Sequence, residues 1–149
     1  IKEWGFSTSP WIEGDLCLIL GGGAEAGSIA TIAYNKVDGE IVWTSNGTGE
    51  TYSSPQVVTL QGVRQVVSAL GTTILSQEVA SGRELWSYVR KGAGHSMLQP
   101  MALDAERLLV ASGDGDGTVC YRVTKSDDQW KIEPEWSAPR LRPDFNEVV

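Results

Sequence analysis

The sequence predicts an all-β protein that repeats a unit of four short antiparallel strands. Prolines precede apolar runs at intervals of 45 residues, at Pro10, Pro55 and Pro100. Tryptophans recur late in each unit, at Trp43, Trp86 and Trp136. The apolar runs are short, turn residues separate them, and no apolar stripe has helical spacing. Because a regular period of this length is the sequence signature of a repeat architecture, we expect stacked sheets of similar design.

Turn residues divide each unit into four predicted strands. In the first unit these are Trp11–Ile12, Leu16–Leu20, Ile29–Tyr34 and Glu40–Ser45. In the second they are Gln56–Leu60, Arg64–Leu70, Thr73–Val79 and Glu84–Val89. In the third they are Met101–Leu103, Leu108–Ser112, Thr118–Thr124 and Lys131–Trp136. Asp38-Gly39 and Ser81-Gly82 suit the tight turn before the fourth strand, because glycine adopts positive φ without steric cost.

Units of this size with four strands are typical of the blades of a β-propeller. The units cover approximately residues 5–45, 46–90 and 91–138, and residues 139–149 begin a fourth. The chain therefore forms a single partial propeller, since closed rings have about 4–8 blades. Neighbouring blades must stack because one blade cannot bury both faces of its sheet. Either the chain is a fragment of a longer protein, or two chains form a homodimer that completes the propeller.

The composition argues against a nucleic-acid partner, a membrane span, a disulfide framework and a zinc site. The 149 residues carry 12 Lys and Arg against 19 Asp and Glu, a net charge of −7, which disfavours nucleic acid. No apolar run approaches the ~18 residues of a membrane span. Cys17 and Cys120 lie in apolar strands, so we expect buried free thiols rather than a disulfide framework or a zinc site.

The segment from Ala33 to Trp43 resembles the tryptophan-docking motif of the pyrroloquinoline quinone (PQQ) type propeller repeat. That motif has the form Ala-x-Asp-x-x-Thr-Gly-x-x-x-Trp. Ala33, Gly39 and Trp43 match it, and Asn35 and Asp38 are conservative departures.

Two weaker copies of this motif follow. The second keeps Gly82 and Trp86, with Glu78 and Ser81 near the motif's Asp and Thr, and the third keeps Trp136. The resemblance implies a structural role: each indole packs between adjacent blades, and its N–H donates to a carbonyl. The polar residue at Asn35 or Glu78 ties the third strand to the turn.

The same resemblance limits the functions to consider. PQQ-dependent dehydrogenases bind the quinone and calcium on the propeller axis, whereas other relatives, among them an outer-membrane assembly lipoprotein, use the repeat as a non-catalytic scaffold. This chain looks most similar to exported bacterial repeat proteins of unassigned role. We therefore expect a periplasmic or exported binding scaffold with no evident cofactor, catalytic residue or metal ligand. The alternative is part of a PQQ-dependent oxidoreductase whose cofactor residues lie outside this segment.

The sequence offers one candidate ligand site. His95, the single histidine, lies in the segment that crosses from the second unit to the third, near one mouth of the expected channel. Equivalent crossings add Glu50, Tyr52 and Arg90 to this predicted mouth. The glycines 21–23 lack the Lys-Ser/Thr ending of a phosphate loop, and residues 114–117 are predicted to form a hairpin turn rather than a calcium loop.

Overall fold

The computed structural model describes residues 5–21, 27–92, 96–112 and 115–143, and these contain twelve β-strands and no helix. The first sheet consists of β1 (Trp11–Glu13), β2 (Leu16–Leu20), β3 (Ile29–Asn35) and β4 (Ile41–Asn46). The second consists of β5 (Gln56–Leu60), β6 (Val63–Leu70), β7 (Thr73–Glu78) and β8 (Glu84–Val89). The third consists of β9 (Met101–Ala102), β10 (Arg107–Ala111), β11 (Thr118–Ser126) and β12 (Gln129–Ala138).

All three sheets have the same topology. Each is antiparallel and contains four strands that pair in chain order, so no strand leaves its own sheet. The predicted all-β class and the predicted four-stranded sheets are therefore confirmed. Outside the hairpin of β11 and β12, the predicted strand bounds agree with the observed ones to within one residue.

That hairpin is longer than the sequence predicted. The predicted strands end at Thr124 and begin again at Lys131, but the ladder continues to the pair Ser126↔Gln129. Asp127 adopts a φ of +53°, which aspartate tolerates better than most residues, and the chain can reverse within two residues. The third sheet therefore lacks the glycine turn that the first two place before their fourth strands.

The sheets stack face to face in chain order. We call the side of a sheet that points toward the next sheet its outgoing face, and the side that points toward the preceding sheet its receiving face. Leu18, Ala33 and Trp43 on the outgoing face of the first sheet pack with Val57 and Val66 on the receiving face of the second. A larger apolar cluster joins the second sheet to the third in the same way. The core thus lies between sheets.

The segments that lead from one sheet to the next, which we call crossings, contact one another at the interval of the repeat. The Ser9 amide donates to Ser54 Oγ at 2.8 Å, and Thr51 Oγ1 donates to the Ser96 carbonyl at 3.2 Å. Both bonds join residues that are 45 positions apart. The crossings lead into β1, β5 and β9, and these first strands lie beside one another as blades do around an axis. In the described part of the chain, no further sheet pairs or packs beyond the first or the third. On the outgoing face of the third sheet, Leu109 and Cys120 are nevertheless buried, and Trp136 is exposed.

Candidate functional site

The indole of Trp43 joins the first sheet to the second. Its Nε1 donates to the Val79 carbonyl at 3.0 Å, and the side chain is buried. The ring lies against Gly82, where an added β-carbon would come within 2.3 Å of Cε3. Gly82 also has a φ of +70°, so this position requires glycine both for its backbone conformation and for the close approach of the ring.

The turns beside the indole contain the polar residues of the motif. Asn35 Nδ2 donates to Asp38 Oδ2 at 3.1 Å, and Asn35 Oδ1 accepts the Val37 amide at 2.9 Å. In the second sheet the Ser81 hydroxyl donates to Glu78, and this bond is the largest influence lowering the pKa of that carboxyl. These side chains hold the turn of their own sheet in shape.

Trp86 makes a different contact from Trp43. It packs between the second and third sheets, but its Nε1 donates to Gln65 Oε1 at 2.8 Å, within its own sheet. The third sheet has no matching glycine turn, because the extended β11–β12 hairpin stands in its place. Gln65 also accepts the Ser76 hydroxyl and donates to two backbone carbonyls, so its buried amide is fully engaged.

Trp136 lies on the outgoing face of the third sheet. There it is 43% exposed, whereas Trp43 and Trp86 are 8% and 4% exposed. No described sheet follows it, so the structure does not place Trp136 between blades as the resemblance implied.

The predicted ligand mouth consists of Glu50, Tyr52, Arg90 and His95, and three of these residues lie in the described part of the chain. Arg90 is only 4% exposed, and its Nη2 donates to Ser96 Oγ at 2.6 Å and to the Gly71 carbonyl. The Tyr52 amide donates to the Ser96 carbonyl at 2.9 Å, and the Glu50 backbone lies next to Gly71. The structure therefore gathers these three residues around one crossing, where the Arg90 guanidinium holds the backbone. His95 lies outside the described residues.

A cleft that the sequence did not reveal lies between the first strands of the second and third sheets. It encloses about 310 Å³, and all of its described lining is uncharged. Two amides face each other within it, because Gln56 Nε2 donates to Gln99 Oε1. Val58, Met101 and Leu109 contribute apolar walls. In the sequence, the signal for this cleft was that both glutamines stand next to the prolines that mark the repeat.

A second cleft, of about 350 Å³, lies between β8 and the third sheet. Tyr88 and Tyr121 meet edge to face in it, with ring centroids 5.1 Å apart. Burial raises the pKa of Tyr121 to about 12, so its hydroxyl is protonated at neutral pH. Lys91 and Asp116 also line this cleft. Asp116 belongs to the turn predicted at 114–117, of which Asp114 lies outside the described residues.

Within the described ranges, no three His, Cys, Asp or Glu side chains come together in a way that could hold a metal ion. Both cysteines are free. Cys120 is buried, and burial raises the pKa of its thiol. In the same part of the chain, no helix is long and apolar enough to cross a membrane.

Comparison with known proteins supports the architecture. No family profile matches the chain, and no curated protein matches it by sequence. Among solved structures, BamB from Moraxella catarrhalis is similar, with a TM-score of 0.53 and 18% identity over 81% of this chain. The fold is that of an incomplete β-propeller. The match covers 37% of the BamB chain, and at this identity it is evidence of the fold alone.

Proposed function

We propose that the chain is a non-catalytic β-propeller scaffold of the PQQ-like repeat type that binds a protein partner or a small ligand. The observation that carries this proposal is the uncharged cleft between the second and third sheets. Apolar walls with a few directed polar groups are the usual design of a ligand pocket, and its volume falls in the usual range of about 300–1,000 Å³.

The lining of the cleft indicates the ligand class. Gln56 and Gln99 each offer an amide donor and an amide acceptor, so together they complement a peptide group or another neutral amide. No described residue of the lining titrates near neutral pH, and none is a nucleophile paired with a base. This cleft is therefore suited to reversible binding. We extend the proposal to the predicted mouth, where Glu50, Tyr52, Arg90 and His95 would border the approach along the crossings.

The proposal is tested by titrating the chain with N-acetyl-leucine N-methylamide, a neutral probe with two peptide groups. We expect selective shifts of the Gln56 and Gln99 side-chain amide signals in ¹H–¹⁵N spectra, and loss of these shifts in Gln99→Leu. Gln129→Leu, in the turn of the outermost hairpin, is the matched control and should leave them unchanged. No shift at millimolar probe would contradict amide binding in the cleft.

The alternative is part of a PQQ-dependent oxidoreductase. The described residues do not gather the carboxylates that would hold calcium, so they do not fit that cofactor. The alternative would be supported by a new absorbance band on adding PQQ together with calcium-dependent stabilisation of the fold.

Two further parts of the proposal come from the sequence resemblance. We propose an exported or periplasmic location by analogy with the bacterial repeat proteins, which fractionation of the native host would test. We also propose that sheets beyond these three complete the ring. Further units of a longer chain or a second copy could supply them, and the scaffold function is the same in both cases.

A further inference from the structure

The cleft between β8 and the third sheet combines aromatic walls with charged groups. It encloses about 350 Å³ and shares no described lining residue with the uncharged cleft between the first strands. Tyr88 and Tyr121 form its aromatic part, and Lys91 and Asp116 bring opposite charges to it. A concave site with apolar walls and a few polar groups is the usual design of a small-molecule site.

The repeat shows that this aromatic pair is particular to the second interface between sheets. By strand register, Tyr121 takes the place in the third sheet that Gln77 takes in the second. Tyr88 stands two residues after the tryptophan of its unit, as Ser45 does in the first unit. At the first interface Thr31 Oγ1 donates to Gln77 Oε1 at 2.9 Å, so the two sheets bond to each other there. The second interface has two phenol rings and a cleft in the equivalent place.

The apolar walls of this cleft are largely fixed by burial. Tyr121 is 2% exposed and Val119 is 5% exposed, and Tyr88 meets Tyr121 edge to face. Pro134 and Pro139, whose rings have little conformational freedom, also line the cleft. These walls offer an aliphatic side chain a preformed surface on which to pack.

The two charged residues stand at the same end of the cleft. A β-carbon on Gly92 would lie 3.4 Å from Asp116 Oδ1, so this carboxylate lies beside the residue that follows Lys91. Within the described ranges, neither Lys91 nor Asp116 forms an ion pair, either with the other or with a third residue. A ligand that carries both signs of charge on neighbouring atoms would pair with both.

The surroundings of Lys91 favour a carboxylate at this end. Arg90 precedes it in the chain, and the positive charge of Arg90 partly offsets the rise in the pKa of Tyr121, so the guanidinium lies close to that ring. The Tyr121 hydroxyl is protonated at neutral pH and can donate a hydrogen bond to a carboxylate. Asp116 supplies the acceptor for an ammonium group.

We propose that this cleft binds a free α-amino acid with an apolar side chain. An α-amino acid carries its ammonium and carboxylate groups on one carbon, which matches the nearness of Asp116 and Lys91. Asp116 accepts hydrogen bonds from the ammonium group, Lys91 donates to the carboxylate, and the side chain packs on Tyr88 and Val119. This site adds a second ligand class to the scaffold and does not depend on the amide cleft.

Titration with L-leucine tests the proposal, followed at the backbone amide signals of Lys91, Gly115 and Asp116 in ¹H–¹⁵N spectra. The comparison ligands are 4-methylpentanoate, which lacks the ammonium group, and 3-methylbutylamine, which lacks the carboxylate. We expect saturable shifts with leucine, and binding weaker by about fivefold or more for either analogue, because each has lost one charge pair. This series uses the unmodified chain, so it needs no variant to fold.

Two variants should separate the two charges. Asp116→Asn should weaken leucine and 3-methylbutylamine about fivefold but not 4-methylpentanoate. Lys91→Gln should weaken leucine and 4-methylpentanoate but not 3-methylbutylamine. A general loss of structure would weaken all three ligands together. Asp128→Asn and Lys131→Gln, exposed charges of the β11–β12 hairpin outside the cleft, are the matched controls and should change none of the affinities.

The proposal is overturned if these signals do not move at about 20 mM leucine, well above a millimolar dissociation constant. It is also overturned if the three ligands bind equally, or if either cleft variant binds leucine as tightly as the unmodified chain. Leucine should leave the Gln56 and Gln99 side-chain signals in place, and N-acetyl-leucine N-methylamide, which has neither charge, should not move the Lys91 and Asp116 signals. Either proposal can therefore fail while the other holds.

Discussion

Replacing Gly82 with alanine tests the contact that joins the first two sheets. A β-carbon at a φ of +70° costs about 1–2 kcal/mol, partly offset by about 0.4–1 kcal/mol from a stiffer unfolded chain. The new methyl group would also lie 2.3 Å from Cε3 of Trp43, so the indole must move. Overpacking of this kind costs about 1–3 kcal/mol. We therefore expect Gly82→Ala to lower the free energy of unfolding by about 1–4 kcal/mol.

The assay is urea unfolding followed by circular dichroism, with Gly62→Ala as the matched control. Gly62 shares the backbone conformation but has open space around it, so the excess cost of Gly82→Ala isolates the indole contact. We expect an excess of about 1–3 kcal/mol, or about 2–4 °C in melting temperature for each kcal/mol. In a Trp43→Leu background the excess should disappear. Equal costs for the two glycine variants would refute the argument that the ring is held over Gly82.

Three further outcomes follow from the contacts between and within the sheets. Arg64 donates two hydrogen bonds to Glu13, which is the main reason that the pKa of Glu13 is lowered. The unmodified chain should therefore be more stable than Glu13→Gln at every pH above 4.5, the ordinary pKa of a glutamate. This difference in the free energy of unfolding should vanish as the pH falls through the lowered pKa of Glu13, and urea midpoints measured across this pH range would show it. Gln65→Met should cost at least about 2 kcal/mol in urea unfolding, because it leaves the buried Trp86 N–H without its acceptor; full stability would contradict this. Because burial raises the pKa of Cys120, its thiol should resist a disulfide exchange reagent at pH 8 until urea is added, and fast labelling of the folded chain would argue against its burial.

The 45-residue interval of the prolines predicted three repeated sheets. Turn residues at the ends of the apolar runs then predicted where each strand begins and ends. Local sequence signals did not predict the length of the β11–β12 hairpin. The predicted strands ended at Thr124 and began again at Lys131, but strand pairing on both sides continued to the turn. How far a hairpin ladder extends depends on the cross-strand pairs on both sides of the turn, and the composition of the turn itself does not show it.

The candidate site was less accessible to sequence reasoning than the fold. The pattern placed Tyr52 and Arg90 on neighbouring crossings that border one predicted mouth, but it could not show that Arg90 is buried against Gly71 and Ser96. The cleft with Gln56 and Gln99 arises only when two first strands lie side by side, a relation between sheets that no single unit contains. A repeat in the sequence therefore predicts each sheet well, but it does not predict which side chains meet between neighbouring sheets.

The pairing of strands strictly in chain order also shapes how this molecule folds. Every ladder joins strands that are neighbours along the chain, so each sheet can form from local contacts with little loss of loop entropy. A ribosome would release the first sheet complete before the second has been synthesised, and its apolar faces would wait uncovered until the next sheet arrives. The interval between the synthesis of neighbouring sheets is therefore the time at which this chain is most exposed to aggregation.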